Sequence, residues 1–358
     1  MIKFNIEENI GHLSYAVIEG QLFYELKKLN LLSRTGLTIK TGHLGMTACD
    51  VLITTWETTR IPTEWIKYAK YYKLIVVGSE WNLKIFKNAG IDNVICLPFG
   101  IDNKFYEAKI CDDSRENSFL FFANNQVRKG FESFEQFWIA NHRNFYGFKL
   151  ILVGRNINAK CLTYLKSEIK ANFKITYFLE NVVLYEPLKR LDTSELINLY
   201  RHCHTLVLPS KSEGFGLTVL EALCCGCNVV IPEYSSTNEF NFENIFKFKG
   251  DQISDNGAEL GYGFNGEWWT PSWPSLLDCM RNSIDNGTLN LNQIICRSEQ
   301  INKTYNWVVF LNSLVGICEA GEKDNMAIYR KENKKIGKTK IFLNKIKFKI
   351  SRWLNINV

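Results

Sequence analysis

Short apolar runs alternate with longer amphipathic stretches along most of the chain. The apolar runs predict β-strands in two series that a polar segment separates. The first series is 2–6, 50–54, 74–77 and 94–97, and the second is 118–122, 149–153, 182–184, 205–208 and 228–231. Stretches with an apolar repeat of about 3.6 residues, such as 16–29 and 131–140, predict helices between the strands.

Continuous apolar strands separated by helices are typical of parallel sheets covered on both faces. Right-handed crossovers then predict an α/β fold with two doubly wound, Rossmann-like domains that face a cleft. We place a short N-terminal domain at 1–103, a linker at 104–117, a second domain at 118–300, a C-terminal helix at 301–330 and a tail at 331–358. Ligands are expected at the carboxyl ends of the strands, where such sheets bind them.

Composition narrows the class of protein without identifying a function. The chain has 358 residues, of which 46% are hydrophobic and 22% are charged, as expected for a globular protein with room for two domains. Eleven cysteines without a framework spacing predict reduced thiols in a cytoplasmic protein, and the N-terminus is expected to hold no signal peptide. No run approaches the roughly 18 apolar residues that a membrane-spanning helix needs.

The net charge of +6 is concentrated at the C-terminus. Residues 331–358 carry a net charge of +8, and the rest of the chain carries −2, which argues against nucleic-acid binding. Apolar residues recur in this tail at near-helical spacing at Phe342, Ile346, Ile350 and Trp353. The tail is therefore predicted either to lie on an anionic membrane as a basic amphipathic helix or to be a solvated end that packs Trp353 on the body.

The segment 206–232 carries the strongest chemical signal. A strand ends at Pro209, and a glycine-containing loop that begins at Glu213 opens a helix at 218–225. Glycine lets the backbone approach a ligand closely, and a helix start offers N–H groups and a partial positive charge to a phosphate. Glu221 lies about two turns into the helix, where a carboxylate can accept hydrogen bonds from sugar hydroxyls. On spacing alone, a strand, loop and helix with solvated glutamates fits equally well.

This segment resembles the donor-site signature of the GT-B retaining glycosyltransferases of glycosyltransferase family 4. The fixed elements of that signature stand here at Pro209, Ser210, Glu213, Gly214, Phe215, Gly216, Leu220, Glu221, Ala222 and Gly226. The resemblance implies a GT-B fold in which Glu221 holds the nucleotide ribose and Glu213 lies at the donor sugar. It also implies that the backbone from Phe215 through Gly216 and Leu217 to Thr218 lines the sugar and the diphosphate.

A second likeness to the family lies at 124–134. Lys129 and Gly130 fit the family's phosphate-binding lysine and glycine, whereas Ala123 stands where many members carry an arginine. Arg128 is therefore expected to supply the second cation. Two cations suit a leaving diphosphate, because negative charge grows there as the glycosidic bond breaks. The alternative is a helix start with exposed basic side chains.

The N-terminal domain resembles the family least. Members usually have a glycine-rich loop after the first strand, and this chain has only the segment 9–12 there. Gly11 is expected to approach the donor diphosphate, and His12 either faces the cleft or is an ordinary loop residue. Because this domain should select the acceptor, the acceptor is left open.

A cluster of histidines and cysteines around 202–204 and 224–227 raises the question of a metal site. Zinc would accept such ligands, but buried cysteine also serves as a small apolar residue at a helix end. We expect no metal at this place.

The resemblance implies a hexosyltransferase that moves a sugar from a UDP-, GDP- or similar nucleotide sugar to a hydroxyl of a glycan or glycolipid, with retention and without a metal or other cofactor. Lys129, Arg128 and Glu213 are assigned to catalysis. We expect Glu221→Gln to weaken nucleoside diphosphate binding and Glu213→Gln to lower kcat while leaving that affinity nearly unchanged. The alternatives are a nucleotide-sugar epimerase of the same fold and a non-catalytic module that binds a nucleotide or a membrane.

Overall fold

The computed structural model describes residues 2–6, 13–45, 48–107, 115–124, 126–255 and 266–325. Gly11, His12 and the tail 331–358 lie outside the described residues, so what was predicted for them stays a prediction. The chain divides into two compact units, one from Met1–Gly100 and Thr304–Val358 and the other from Ile101–Lys303.

The described elements follow the alternation of strands and helices that the sequence predicts. The strands are β1 (Phe4–Ile6), β2 (Leu37–Thr41), β3 (Val51–Thr54), β4 (Leu74–Val77), β5 (Val94–Cys96), β6 (Glu116–Phe122), β7 (Lys149–Val153), β8 (Tyr164–Lys170), β9 (Phe173–Phe178), β10 (Val182–Pro187), β11 (Cys203–Val207), β12 (Asn228–Pro232), β13 (Ile245–Phe248), β14 (Gly250–Asp255) and β15 (Gly266–Pro271). The helices are α1 (Leu13–Lys28), α2 (Thr63–Ile66), α3 (Glu80–Asn88), α4 (Asn103–Tyr106), α5 (Phe131–Asn141), α6 (Thr193–His202), α7 (Leu217–Cys224), α8 (Trp273–Asp285), α9 (Leu291–Thr304) and α10 (Trp307–Asn325).

The first unit contains a parallel sheet in the order β1-β2-β3-β4-β5. All four residues of β3 are buried, which explains its continuous apolar sequence. The C-terminal helix α10 belongs to this unit: it packs against α1, and Trp307 stacks on Phe99 with ring centroids 6.2 Å apart. Among the described strands of this sheet, the spatial order is the same as the order along the sequence.

The second unit contains a sheet in the order β13-β12-β11-β6-β7-β10-β9-β8. The strands from β13 to β10 are parallel, and β9 and β8 extend the sheet as an antiparallel hairpin. Strand β7 follows β6 on one side, whereas β11 lies on the other side of β6. This reversal creates a topological switch point between β6 and β11, the place where open parallel sheets bind ligands.

Aromatic residues fill the core of the second unit. Helix α5 contributes Phe131, Phe134, Phe137 and Trp138, which pack on the buried side chains of β6. Trp138 stacks on Phe145 with centroids 5.5 Å apart. This packing fixes α5, and therefore the loop that precedes it, against the carboxyl end of β6.

Candidate active site

Three loops of the second unit meet at the switch point. They follow β6, β11 and β12, which are neighbours in the sheet and whose carboxyl ends lie at one edge. The loop at 123–130 leads into α5, the loop at 208–216 leads into α7, and the loop at 233–239 follows β12. The residues predicted from the donor-site signature lie on the first two loops and on α7.

A close approach of backbones joins the first two loops. The Lys211 N–H donates to the Arg128 carbonyl at 2.8 Å. Gly130 has a φ of 73°, and a Cβ added there would lie 2.5 Å from the Pro209 carbonyl oxygen. Only glycine suits both the left-handed backbone and the contact. The glycine next to Lys129 therefore allows the two loops to come together.

This approach brings both predicted cations onto one carboxylate. Lys129 Nζ lies 2.6 Å from Glu213 Oε1, and Arg128 Nη1 lies 3.0 Å from Glu213 Oε2. Arg128 also donates to the Ser212 carbonyl at 2.7 Å. Glu213 is 6% exposed. The three side chains assigned to catalysis thus form one ion cluster with a net positive charge.

The cluster controls the ionisation of Glu213. Burial opposes the charged form, but the nearby Arg128 and Lys129 outweigh it and lower the pKa of the Glu213 carboxyl to about 2. The carboxylate is therefore ionised at neutral pH. In this state the Glu213 carboxylate neutralises Arg128 and Lys129, the two cations that a bound diphosphate would need.

Residues of the third loop position Glu213 and were missed in the sequence. Ser235 accepts a hydrogen bond from the Glu213 N–H at 3.1 Å and has a φ of 56°, a backbone conformation that non-glycine residues rarely adopt. The Ser236 hydroxyl donates to the carbonyls of Glu213 at 2.7 Å and Phe215 at 3.1 Å. The sequence feature that could have identified Ser235 and Ser236 is the polar run that follows the buried strand β12.

Helix α7 begins within the same site. Gly216 is its N-cap with a φ of 104°, and no side chain caps the helix. A Cβ at Gly216 would lie 3.0 Å from Thr237 Cγ2, so this position also favours glycine. The first turn, which includes Leu217 and Thr218, presents N–H groups and the positive end of the helix dipole. This end of α7 is suited to an anion.

Glu221 lies further along α7 and is half-buried. Its Oε2 accepts a hydrogen bond from the Tyr200 hydroxyl at 2.8 Å. Burial raises the pKa of the Glu221 carboxyl to about 7, with a further contribution from Asp102 that the Tyr200 hydrogen bond opposes. Asp102 is the N-cap of α4 and accepts a hydrogen bond from Thr193 at 2.8 Å. Glu221 is thus poised to titrate near neutral pH, unlike Glu213.

A cavity of about 310 Å³ lies beside Gly130. It has the volume of a small-ligand pocket, and its lining is mostly polar. The lining residues are Asn124, Gln126, Val127, Gly130, Phe131, Glu132, Ser133, Asn158, Lys160 and Lys211. The site therefore has room for part of a ligand next to the cation-bearing loop.

The histidines and cysteines at the other edge of the sheet are engaged in packing. Burial raises the pKa of the Cys203 and Cys227 thiols, and the Cys227 thiol donates to the Tyr200 carbonyl at 2.9 Å. Within the described part of the chain, no group of three or more His, Cys, Asp or Glu side chains could hold a metal ion. In the same part, no helix has the length and apolarity that crossing a membrane requires.

Comparison with known proteins agrees with this arrangement. Residues 102–247, which include all three loops, match the family described as glycosyl transferases group 1. No curated protein sequence matches the chain.

Solved structures of glycosyltransferases resemble most of the chain. A glycosyltransferase from Rickettsia africae has a TM-score of 0.57 at 12% identity, with 88% of this chain and 97% of that chain covered. HepE from Anabaena, solved with UDP and glucose, has a TM-score of 0.55 at 13% identity, with 89% and 100% covered. WaaG, a glycosyltransferase of lipopolysaccharide biosynthesis, has a TM-score of 0.51 at 13% identity, with 83% and 80% covered. These likenesses show the GT-B fold, and the match to glycosyl transferases group 1 covers residues 102–247 of it.

Proposed function

We propose that this chain transfers a sugar from a nucleoside diphosphate sugar to an acceptor hydroxyl at the switch point of its second unit. The observation that carries the proposal is that Arg128 and Lys129 contact the buried Glu213, three residues before the N-cap of α7. Together the two side chains and the start of α7 offer two cations and a row of N–H groups to a diphosphate. The match to glycosyl transferases group 1 over the same residues supports a sugar as the transferred group.

Donor binding must rearrange the ion cluster. The diphosphate of the nucleotide sugar takes the place of the Glu213 carboxylate on Arg128 and Lys129, because both anions bind these same two cations. The released carboxylate can then accept hydrogen bonds from hydroxyls of the donor sugar. Glu221 accepts hydrogen bonds from the ribose. The donor thus lies along the loop 213–217 and the first two turns of α7.

Transfer breaks the bond between the anomeric carbon and the diphosphate, with the electron pair going to the phosphate oxygen. Arg128 and Lys129 stabilise the charge that grows there. The acceptor oxygen forms the new bond on the face that the diphosphate leaves, and its proton passes to a leaving phosphate oxygen. The anomeric configuration is retained, as in glycosyltransferase family 4, and the two side-chain cations take the place that a metal ion would have.

An assay with a panel of UDP- and GDP-sugars in excess EDTA tests this proposal. UDP-glucose is a first donor to try, because HepE was solved with UDP and glucose. We expect stoichiometric release of free nucleoside diphosphate and a glycosylated acceptor. An altered sugar still attached to its nucleotide would instead identify an epimerase. Activity that is lost in EDTA and restored by magnesium or manganese would contradict the metal-independent mechanism.

Binding of a nucleoside diphosphate should release a proton from Glu221. With a pKa of about 7 the carboxyl is roughly half protonated at pH 7 in the free protein. Ribose hydroxyls that donate to it favour the ionised form and lower its pKa. Calorimetry in buffers of different ionisation enthalpy should show about half a proton more released by the native chain than by Glu221→Gln. Equal release by both proteins would place the ribose elsewhere.

The acceptor is proposed to be a glycan or a glycolipid. A glycolipid would suit the basic tail 331–358, whose net charge of +8 favours contact with an anionic membrane surface. Co-sedimentation with anionic vesicles of the full chain and of a variant with neutralised tail lysines tests this contact, and equal binding would contradict it. The cytoplasmic location remains a prediction from the unpatterned cysteines.

A further inference from the structure

The outer edge of the second sheet is built in an uncommon way. A connection between adjacent parallel strands usually carries a helix, but the chain passes from β7 to β10 through the hairpin β8–β9. Strand β8 is therefore the last strand of the sheet at this side. Alternate backbone N–H and C=O groups of β8 point away from β9, and all seven of its residues are exposed.

This edge strand carries apolar side chains. Tyr164, Leu165 and Ile169 are 61%, 51% and 73% exposed, although an edge strand that stays unpaired usually avoids such residues. Leu179, directly after β9, is 62% exposed. A seven-residue edge of this kind can pair with a strand of another chain.

The charges of β8 identify the partner strand. When two copies of β8 pair antiparallel about an axis at Ser167, Lys166 of each copy lies opposite Glu168 of the other. This pair forms twice because of the two-fold symmetry. An axis at Lys166 or Glu168 would instead place like charges opposite each other. An axis at Ile169 would pair Glu168 with Lys170, but the axis at Ser167 lies at the centre of the strand and pairs more of its residues.

Both charged side chains are already held on one face of the strand. Lys166 Nζ lies 4.9 Å from the centroid of the Tyr177 ring, and Glu168 Oε1 accepts a hydrogen bond from the Tyr177 hydroxyl at 2.7 Å. Lys166 forms no ion pair with any residue that the structure describes. The irregularity between Tyr164 and Lys166 lies outside 166–168, the three residues around the proposed axis, and these pair regularly with β9.

We propose that two copies of this chain associate through antiparallel pairing of their β8 strands, which joins the two eight-stranded sheets into one. The switch point lies between β6 and β11, and β7, β10 and β9 separate it from β8. The pairing itself therefore uses no residue of the loops that carry Arg128, Lys129 and Glu213. Association does not depend on the proposed reaction, and its failure would leave that reaction untouched.

Sedimentation velocity over a range of concentrations tests this dimer with the full chain. We expect the native chain to shift from monomer to dimer as its concentration rises. Lys166→Glu and Glu168→Lys should each raise the dimer dissociation constant about tenfold, because each places like charges opposite each other twice. Lys84→Glu, a charge reversal of an exposed lysine on α3, is the matched control and should leave the dimer unchanged.

An equimolar mixture of the two β8 variants makes the test specific. The mixture should dimerise like the native chain, because each carboxylate of the first variant then lies opposite an ammonium group of the second. A native chain that stays monomeric at every attainable concentration would overturn the proposal and would leave β8 to another partner. A dimer that both variants preserve, or two monomeric variants that fail to associate when mixed, would overturn it as well.

Discussion

Lys129→Ala should lower kcat by about 10²–10³-fold, the usual cost of removing one group that stabilises charge in a transition state. The Lys129 ammonium is held at a buried carboxylate, beside the start of α7, where the donor diphosphate is proposed to bind. Its interaction with the leaving phosphate strengthens as the glycosidic bond breaks, so the loss should fall mainly on kcat. Initial rates over a range of donor concentrations separate kcat from KM.

Lys149→Ala is the matched control for this variant. Lys149 also pairs with a glutamate, Glu116, at 2.6 Å, but at the amino end of β7 and therefore at the opposite edge of the same sheet. It should retain nearly the full rate. A near-native rate for Lys129→Ala, or a loss of its thermal stability large enough to explain the loss of activity, would show that Lys129 does not act on the diphosphate.

Glu213→Gln should bind free nucleoside diphosphate more tightly than the native chain while turning over more slowly. In the free protein Glu213 occupies both cations, and its pKa of about 2 keeps it charged throughout the neutral range. A diphosphate that binds at the proposed site must displace this carboxylate. The neutral amide of glutamine has a shape similar to that of the carboxylate, but it carries no charge to hold Arg128 and Lys129. We therefore expect the affinity for nucleoside diphosphate to rise about tenfold. Calorimetry measures the affinity, and initial rates measure the turnover.

This expectation replaces the prediction from sequence that the affinity would stay nearly unchanged in Glu213→Gln. That prediction treated Glu213 only as a ligand of the sugar, which free nucleoside diphosphate lacks. Glu116→Gln removes a more exposed ion pair away from the site and should leave the affinity as it is. A weaker affinity in Glu213→Gln would mean that the carboxylate holds the nucleotide itself and that Glu213 and Glu221 have exchanged roles.

The sequence indicated the buried strands because burial on both faces of a sheet requires a continuous run of apolar residues. Strands such as β3 and β4 are continuous apolar runs, and they were predicted within a residue of their bounds. Strands β2, β8 and β9 mix polar and apolar residues and were missed. The fully exposed β8 shows the reason: an edge strand is held by backbone hydrogen bonds to its neighbour, which any sequence can make.

The sequence by itself identified the side chains to which we assign the chemistry, since Lys129, Glu213 and Glu221 belong to short local motifs. Tertiary structure alone decided that Arg128 and Lys129 contact Glu213, that Ser235 and Ser236 hold the Glu213 backbone, and that α10 packs in the first unit. The physical reason is strand order. Strand β11 pairs with β6 although four strands separate them along the chain, and only that pairing lets the Gly130 backbone reach Pro209 and places both cations on one carboxylate.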